Sequence, residues 1–244
     1  MKSIKTKEPF TMEDFEKGLM LAGFITPAST SELHDREVLE EYERSSDNKQ
    51  NNVFFQRVTL AAEIAFQLHS ESTFGRIKFQ KLVYLCEHSA NMNLNDRYAK
   101  QVAGPFDNKF MHSIESQFKK NKWFEVEKIK GEKYTRSVYK PLDNIEGYKK
   151  FYTAYFKDHL TKIQYLIDLF RKLKTDTAEI AATLYACIIE LKNEKSLINE
   201  HTLLAKFYTW SDAKTRFKRE TVLETWEWMK EKGLIPVGIN KVTD

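Results

Sequence analysis

The chain has 244 residues, 41% of them hydrophobic and 30% charged, with 8 glycines, 5 prolines and a net charge of +4. This mixture excludes collagen-like and generally disordered chains and fits a mainly helical protein large enough for a sizeable core. Apolar runs reach only about 5 residues, far short of the roughly 20 that cross a bilayer, so no membrane segment is expected.

Two cysteines, Cys86 and Cys187, stand far apart in the chain with no CxxC or zinc-type spacing, which favours a reducing, cytoplasmic setting. The opening MKSIKTKEPF carries charge but no apolar stretch, so no secretory signal is expected. Positive charge is unevenly placed. From Lys119 to Lys140, eight basic residues stand against three glutamates, a local balance of +5 that exceeds the balance of the whole chain.

Residues 1–50 read as an arm and linker. Thr11-Met-Glu-Asp14 has the form of a capping box ahead of Phe15, Leu19 and Met20, and a second short helix is expected from Glu32 to Arg44. The polar run Ser45 to Asn52 marks a boundary.

A first unit, 51–145, opens with apolar helices at about 53–69 and 76–92. Phe54, Val58, Ala61, Ala65 and Leu68 hold helical spacing in one, and Phe79, Leu82, Val83 and Cys86 do so in the other. Ala103-Gly104-Pro105 predicts a turn, and Asp107 an N-cap for a helix to about Lys122 that buries Phe110, Ile114 and Phe118. Alternation through Phe124, Val126 and Lys128, a Lys130-Gly131-Glu132 turn, and a second run through Tyr134 and Val138 predict a β-hairpin.

A second unit, 146–244, reads as helical over 148–173, over 177–193 behind an Asp176/Glu179 capping box, over 200–209, and over 219–232, which ends at Gly233 with Pro236 beyond. The expected class is therefore mainly α with one small β-hairpin, a winged-helix-like unit packed against a helical unit. A helix leading directly into a basic hairpin is the order of a winged helix.

Catalytic signals are weak. His112 and Glu115 sit at i and i+3, but no serine or cysteine is placed to use that base. His69, Cys86 and His88 would make an uncommon metal set, and Glu190-Leu-Lys192 lacks the further carboxylates of a metal-dependent nuclease. No GxxxxGK[ST] loop is present, so no catalytic residue, metal or cofactor is expected.

Nucleic-acid binding is the stronger signal. Lys119, Lys120 and Lys122 at a helix end, then Lys128, Lys130, Lys133 and Arg136 on the hairpin, are placed to touch successive phosphates, with Arg76, Lys78 and Lys81 extending the patch. The plainer reading is that helix-end lysines complement the dipole and hairpin lysines guard strand edges. Among the aromatics Trp123, Phe124, Trp210, Trp226 and Trp228, Trp226 shares a core stripe with Val222 and Met229. Trp228 lies on another face and is the candidate for a partner contact.

FGRIKFQKLVYLCEH at 74–88 and AGPFDNKFMHSIESQFKKNKWFE at 103–125 resemble an extension at the C-terminus of some DNA specificity subunits of bacterial type I restriction-modification systems, over about 53–236. That resemblance implies a non-catalytic accessory module that binds DNA or its partner subunits. Two target-recognition domains and long pairing helices complete such subunits. The 52 residues before the matching region do not hold these, so base-specific reading and methylase assembly are not carried over.

More distantly, Lys78-Phe-Gln-Lys81-Leu-Val-Tyr84 followed by Gly104-Pro105 resembles SocA-like, or Panacea, antitoxin domains. This second likeness implies a protein-binding module in which Gly104, Pro105, Phe106, Asp107 and exposed aromatics such as Trp228 grip a toxin or adaptor.

Overall fold

The apolar stripe that predicts the first helix is realised in α1, Lys49–Leu68, of a computed structural model that describes residues 49–90, 92, 98–106, 108–130 and 135–236. The helix begins before the stripe does, because its first turn, Lys49-Gln-Asn-Asn52, is polar throughout and gives periodicity nothing to detect. The expected arm elements near Thr11 and at Glu32 to Arg44, together with Asp107 and Lys133, lie outside the described residues.

After α1 come α2 (Arg76–Ser89), β1 (Ala99–Gln101), β2 (Gly104–Phe106), α3 (Asn108–Lys120), β3 (Phe124–Lys130) and β4 (Thr135–Pro141). Then follow α4 (Lys149–Phe156), α5 (Leu160–Phe170), α6 (Thr175–Asn193), α7 (Glu200–Tyr208), a 3₁₀ turn over Asp212–Arg216, and α8 (Arg219–Glu231). The described chain is thus mostly helical, with two small antiparallel hairpins where one was expected.

The additional hairpin moves the predicted turn. Gln101 pairs with Gly104 and Lys100 with Pro105, so the reversal falls on Val102-Ala103 and Gly104-Pro105 begins the returning strand. Proline is tolerated there because a two-stranded ribbon is all edge. The second hairpin pairs Phe124 with Pro141 through to Lys130 with Thr135.

The helix expected over 148–173 divides in two around Lys157–His159, where His159 N–H donates to the carbonyl of Phe156 at 2.7 Å. Each half has its own surface to cover. Helix α4 packs on α1 through Tyr152 and Phe156, while α5 turns Ile163, Leu166, Ile167 and Phe170 inward, against α2 and α1.

One hydrophobic cluster runs through both halves of the chain, from Val58 and Leu82 to Leu184, Phe207 and Met229. Helix α6 lies at its centre, packed against α2, α7, α8 and β2. Its start corrects one expectation: Lys174 occupies the N-cap without a side-chain bond, and Glu179 is buried in an ion pair rather than capping. Asn199 and Thr202 form a reciprocal capping box on α7, and Gly233, at φ +61, closes α8 as its position predicts. No helix among the described residues is long and apolar enough to cross a membrane.

Candidate nucleic-acid interface

Helix α3 turns Met111, Ile114 and Phe118 into the core and leaves Lys109, His112, Ser116, Lys119 and Lys120 exposed. Its end is fixed by two bonds of a Schellman motif: Lys122 N–H donates to the Lys119 carbonyl at 3.1 Å and Trp123 N–H to the Phe118 carbonyl at 2.9 Å. Lys122 therefore sits at φ +57, in the left-handed region where glycine is normal and another residue costs about 1 kcal/mol or more. Its carbonyl accepts from Asn144 N–H at 3.0 Å, and the next side chain, Trp123, is buried, so this strained residue is gripped on both sides.

From that turn β3 leads away with Lys128 and Lys130 exposed, opposite Ser137 and Thr135. Two lysines of the region are engaged: Lys119 lies 3.1 Å from Glu125 and Lys140 lies 2.6 Å from Glu127. Both pairs are open to water, where such bridges contribute little and exchange readily. Lys120, Lys122, Lys128 and Lys130 are exposed and have no ion pair among the described residues.

The arginines of the expected patch serve the fold. Arg136 donates to the Phe74 carbonyl at 3.3 Å, latching the hairpin to the α1–α2 connection, and Arg76 lies 3.3 Å from Glu115 of α3.

Lys78 and Lys81 require a correction, since both are fully buried. The Lys78 ammonium donates to the carbonyls of Arg171 at 2.9 Å and Leu173 at 2.8 Å and to Thr73 Oγ1 at 2.7 Å, holding the otherwise open C-terminal end of α5. Burial pushes its pKa down to about 8. Lys81 donates to the Pro105 carbonyl at 2.6 Å, and burial followed by the nearby Lys214 charge pushes it down to about 7. Neither presents its charge to a phosphate in this arrangement. The Lys-x-x-Lys spacing instead ties α2 to α5 with one ammonium and to β2 with the other.

The Gly104-Pro105 pair is likewise internal. Gly104 lies at φ +96, and a Cβ there would stand 2.5 Å from Thr183 Oγ1 on α6. Gly104 and Pro105 are both buried, so they offer no exposed grip for a partner, and the placement of Asp107 and the Phe106 side chain lies outside the described residues. Trp228 is half-buried, edge-on to Phe170 with ring centroids 5.6 Å apart. Gly104→Ala is expected to lower stability by about 1–3 kcal/mol in urea unfolding, from the clash together with the positive φ. Adding Thr183→Ala should return only the part due to the clash.

A buried charge cluster that the sequence did not signal lies beneath this strand. Lys214, from the 3₁₀ turn, is fully buried with its ammonium 2.8 Å from Glu179 Oε1, while Arg216 reaches Glu179 Oε2 at 2.9 Å. On the far side of α2, Arg57 meets Glu87 at 2.7 Å, and Tyr98 donates to the same carboxylate at 2.8 Å.

The residues weighed for catalysis are not assembled. His112 is exposed while Glu115 faces Arg76. His69 Nδ1 lies 2.8 Å from the Phe66 carbonyl, Cys86 is buried with its thiol pushed up by desolvation, and His88 stacks among Tyr84, Tyr98 and Tyr185. Glu190 pairs with Lys100 and Lys206. Among the described residues no group of three or more His, Cys, Asp or Glu is placed to hold a metal ion. Compared with protein-family models, curated proteins and solved structures, the chain matches none.

Proposed function

We propose that this chain is a non-catalytic accessory module that binds the backbone of duplex DNA, with α3 and the β3–β4 hairpin acting as a winged-helix-like unit, in the service of a type I restriction-modification system. The observation that carries the reading is the run of exposed lysines, Lys120, Lys122, Lys128 and Lys130, without ion pairs among the described residues, flanked by Lys119 and Lys140 in exchangeable surface pairs. The helix dipole accounts for Lys119 and Lys120, which close α3. It does not account for Lys122 beyond the helix end or for Lys128 and Lys130 along a strand. The system assigned rests on the resemblance over residues 53–236.

Each ammonium–phosphate contact releases counterions and adds about 0.9 to the slope of log affinity against log salt. Four such contacts predict roughly a hundredfold weakening of duplex binding between about 50 and 200 mM salt. A titration of the full chain with a short labelled duplex measures this directly. Absence of binding at the lower salt, or affinity indifferent to salt, ends the proposal.

A further inference from the structure

The exposed stripe of α3 has a composition that backbone binding alone does not require. Lys109, His112, Ser116 and Lys120 recur at i, i+3, i+7 and i+11, within one side of the helix and opposite Met111, Ile114 and Phe118. No carboxylate stands on that stripe. The helix's one acid, Glu115, is turned back to Arg76 at 3.3 Å. An exposed helix needs polar groups of either sign for solvation, and acidic ones serve solubility better. Helix α8 shows this alternative, for its exposed positions include Glu220, Glu224, Glu227 and Glu231.

The stripe also matches one surface in shape. A helix of 13 residues is about 20 Å long and about 10–12 Å across with its side chains, and the major groove of B-DNA is about 12 Å wide. Phosphate-facing lysines then fall where they are needed, at the helix end and along the adjoining hairpin. The groove-facing side chains would be an ammonium, an imidazole and a hydroxyl, the donors and acceptors that base edges present partners for.

We propose that α3 enters the major groove of duplex DNA and that Lys109, His112 and Ser116 contact base edges, giving this chain a sequence preference. The inference rests on the backbone-binding reading above, deepens it from charge to sequence, and fails separately from it. His112 and Ser116 are exposed and form no part of the core, so His112→Ala/Ser116→Ala retains the fold.

The experiment is selection from a pool of randomised duplexes by the full chain, with the wild type and the double variant compared at one salt concentration. The wild type is expected to enrich a short motif and to bind it at least about tenfold more tightly than scrambled duplex, the discrimination that good base contacts supply. The double variant is expected to lose the enrichment while holding bulk-duplex affinity and its salt slope close to wild type. A wild type that binds duplex but enriches no motif overturns the inference, as does a double variant that selects the same motif. Tighter binding of the single strand than of the duplex overturns it as well. A wild type that binds no duplex at low salt sinks the backbone reading itself.

Discussion

Glu179→Ala is expected to lower the folding stability of this protein by about 3–5 kcal/mol, the loss typical of removing one partner from a buried ion pair. Against a total of about 5–15 kcal/mol for an ordinary protein, that is about a fifth or more of what holds the fold together. The reason is the charge left behind. Lys214 is fully buried, its ammonium 2.8 Å from the Glu179 carboxylate, and the other groups near it include the rings of Phe207 and Phe217 at 5.7 and 5.8 Å. Arg216 loses the same acceptor.

Urea unfolding of Glu179→Ala, Lys214→Met and the double variant separates charge from packing. Two apolar replacements leave neither buried member of the pair without its partner, and Arg216 is half exposed, so the double variant should lose clearly less than the sum of the singles. Equal additivity would mean that the pair acts only through volume.

The same cluster sets a pH signature. Burial lowers the pKa of Lys214, and burial with the Lys214 charge lowers Lys81 to about 7, while the Glu179 carboxylate works to raise both. Between a depressed folded value and the ordinary 10.5, the unfolded chain holds more protons, so stability rises with pH across that window. Without Glu179 the folded values sink further, and the deficit is fully present only while the lysines remain protonated in the folded state. The part carried by Lys81 should therefore shrink as pH rises towards about 7 and be gone above it, and a deficit constant across that range would contradict an electrostatic contribution from Lys81.

What the sequence revealed and what it hid divide along a physical line. Periodicity marks α3 and α8 because each has a solvent side against which Ile114 and Trp226 stand out, whereas α1 and α6, buried at every residue over 57–65 and 178–188, show only apolar spacing. Helix α2 too has legible apolar spacing at Phe79, Leu82, Val83 and Cys86, but it is enclosed by α1, α5, α6 and β2 and every residue from Lys78 to Glu87 is buried, so that spacing does not tell which charges face water. Lys78 and Lys81 therefore read as surface charge, although each is surrounded by core and satisfied by backbone carbonyls.

Glu179 carries a capping signal that the fold does not use, for a related reason. An acid three residues after Asp176 has capping spacing, and only the fold brings Lys214, 35 positions later, to meet it. The first hairpin was missed because strands of three residues are too short to alternate visibly, and the α4–α5 division because apolar spacing continues across it. The basic end of α3 was legible, since an excess of lysine over 22 residues is a local property of the chain. The commitments of Arg76 and Arg136 were not, since their partners arrive from other elements.

Within that basic end, Lys122 allows function and stability to be pulled apart. Reversing Lys119, Lys120 and Lys122 to glutamate is expected to weaken duplex affinity by about a hundredfold or more near physiological salt, and to lower the salt slope by about two, one contact's worth each for Lys120 and Lys122. That result alone would also follow from a loosened helix end. Lys122→Gly removes the ambiguity, because glycine suits φ +57 and should make the protein more stable by about 1 kcal/mol while the salt slope falls by about one. Lys195 supplies the internal control. It stands at φ +54 in the same hydrogen-bonded motif at the end of α6, with its N–H on the Lys192 carbonyl at 3.0 Å and that of Ser196 on the Leu191 carbonyl at 2.9 Å. Lys195→Gly should give the stability gain with duplex affinity unchanged. A lysine kept at Lys122 only for its turn would give the same pattern as Lys195, whereas a lysine held there for phosphate must show stability and binding moving in opposite directions.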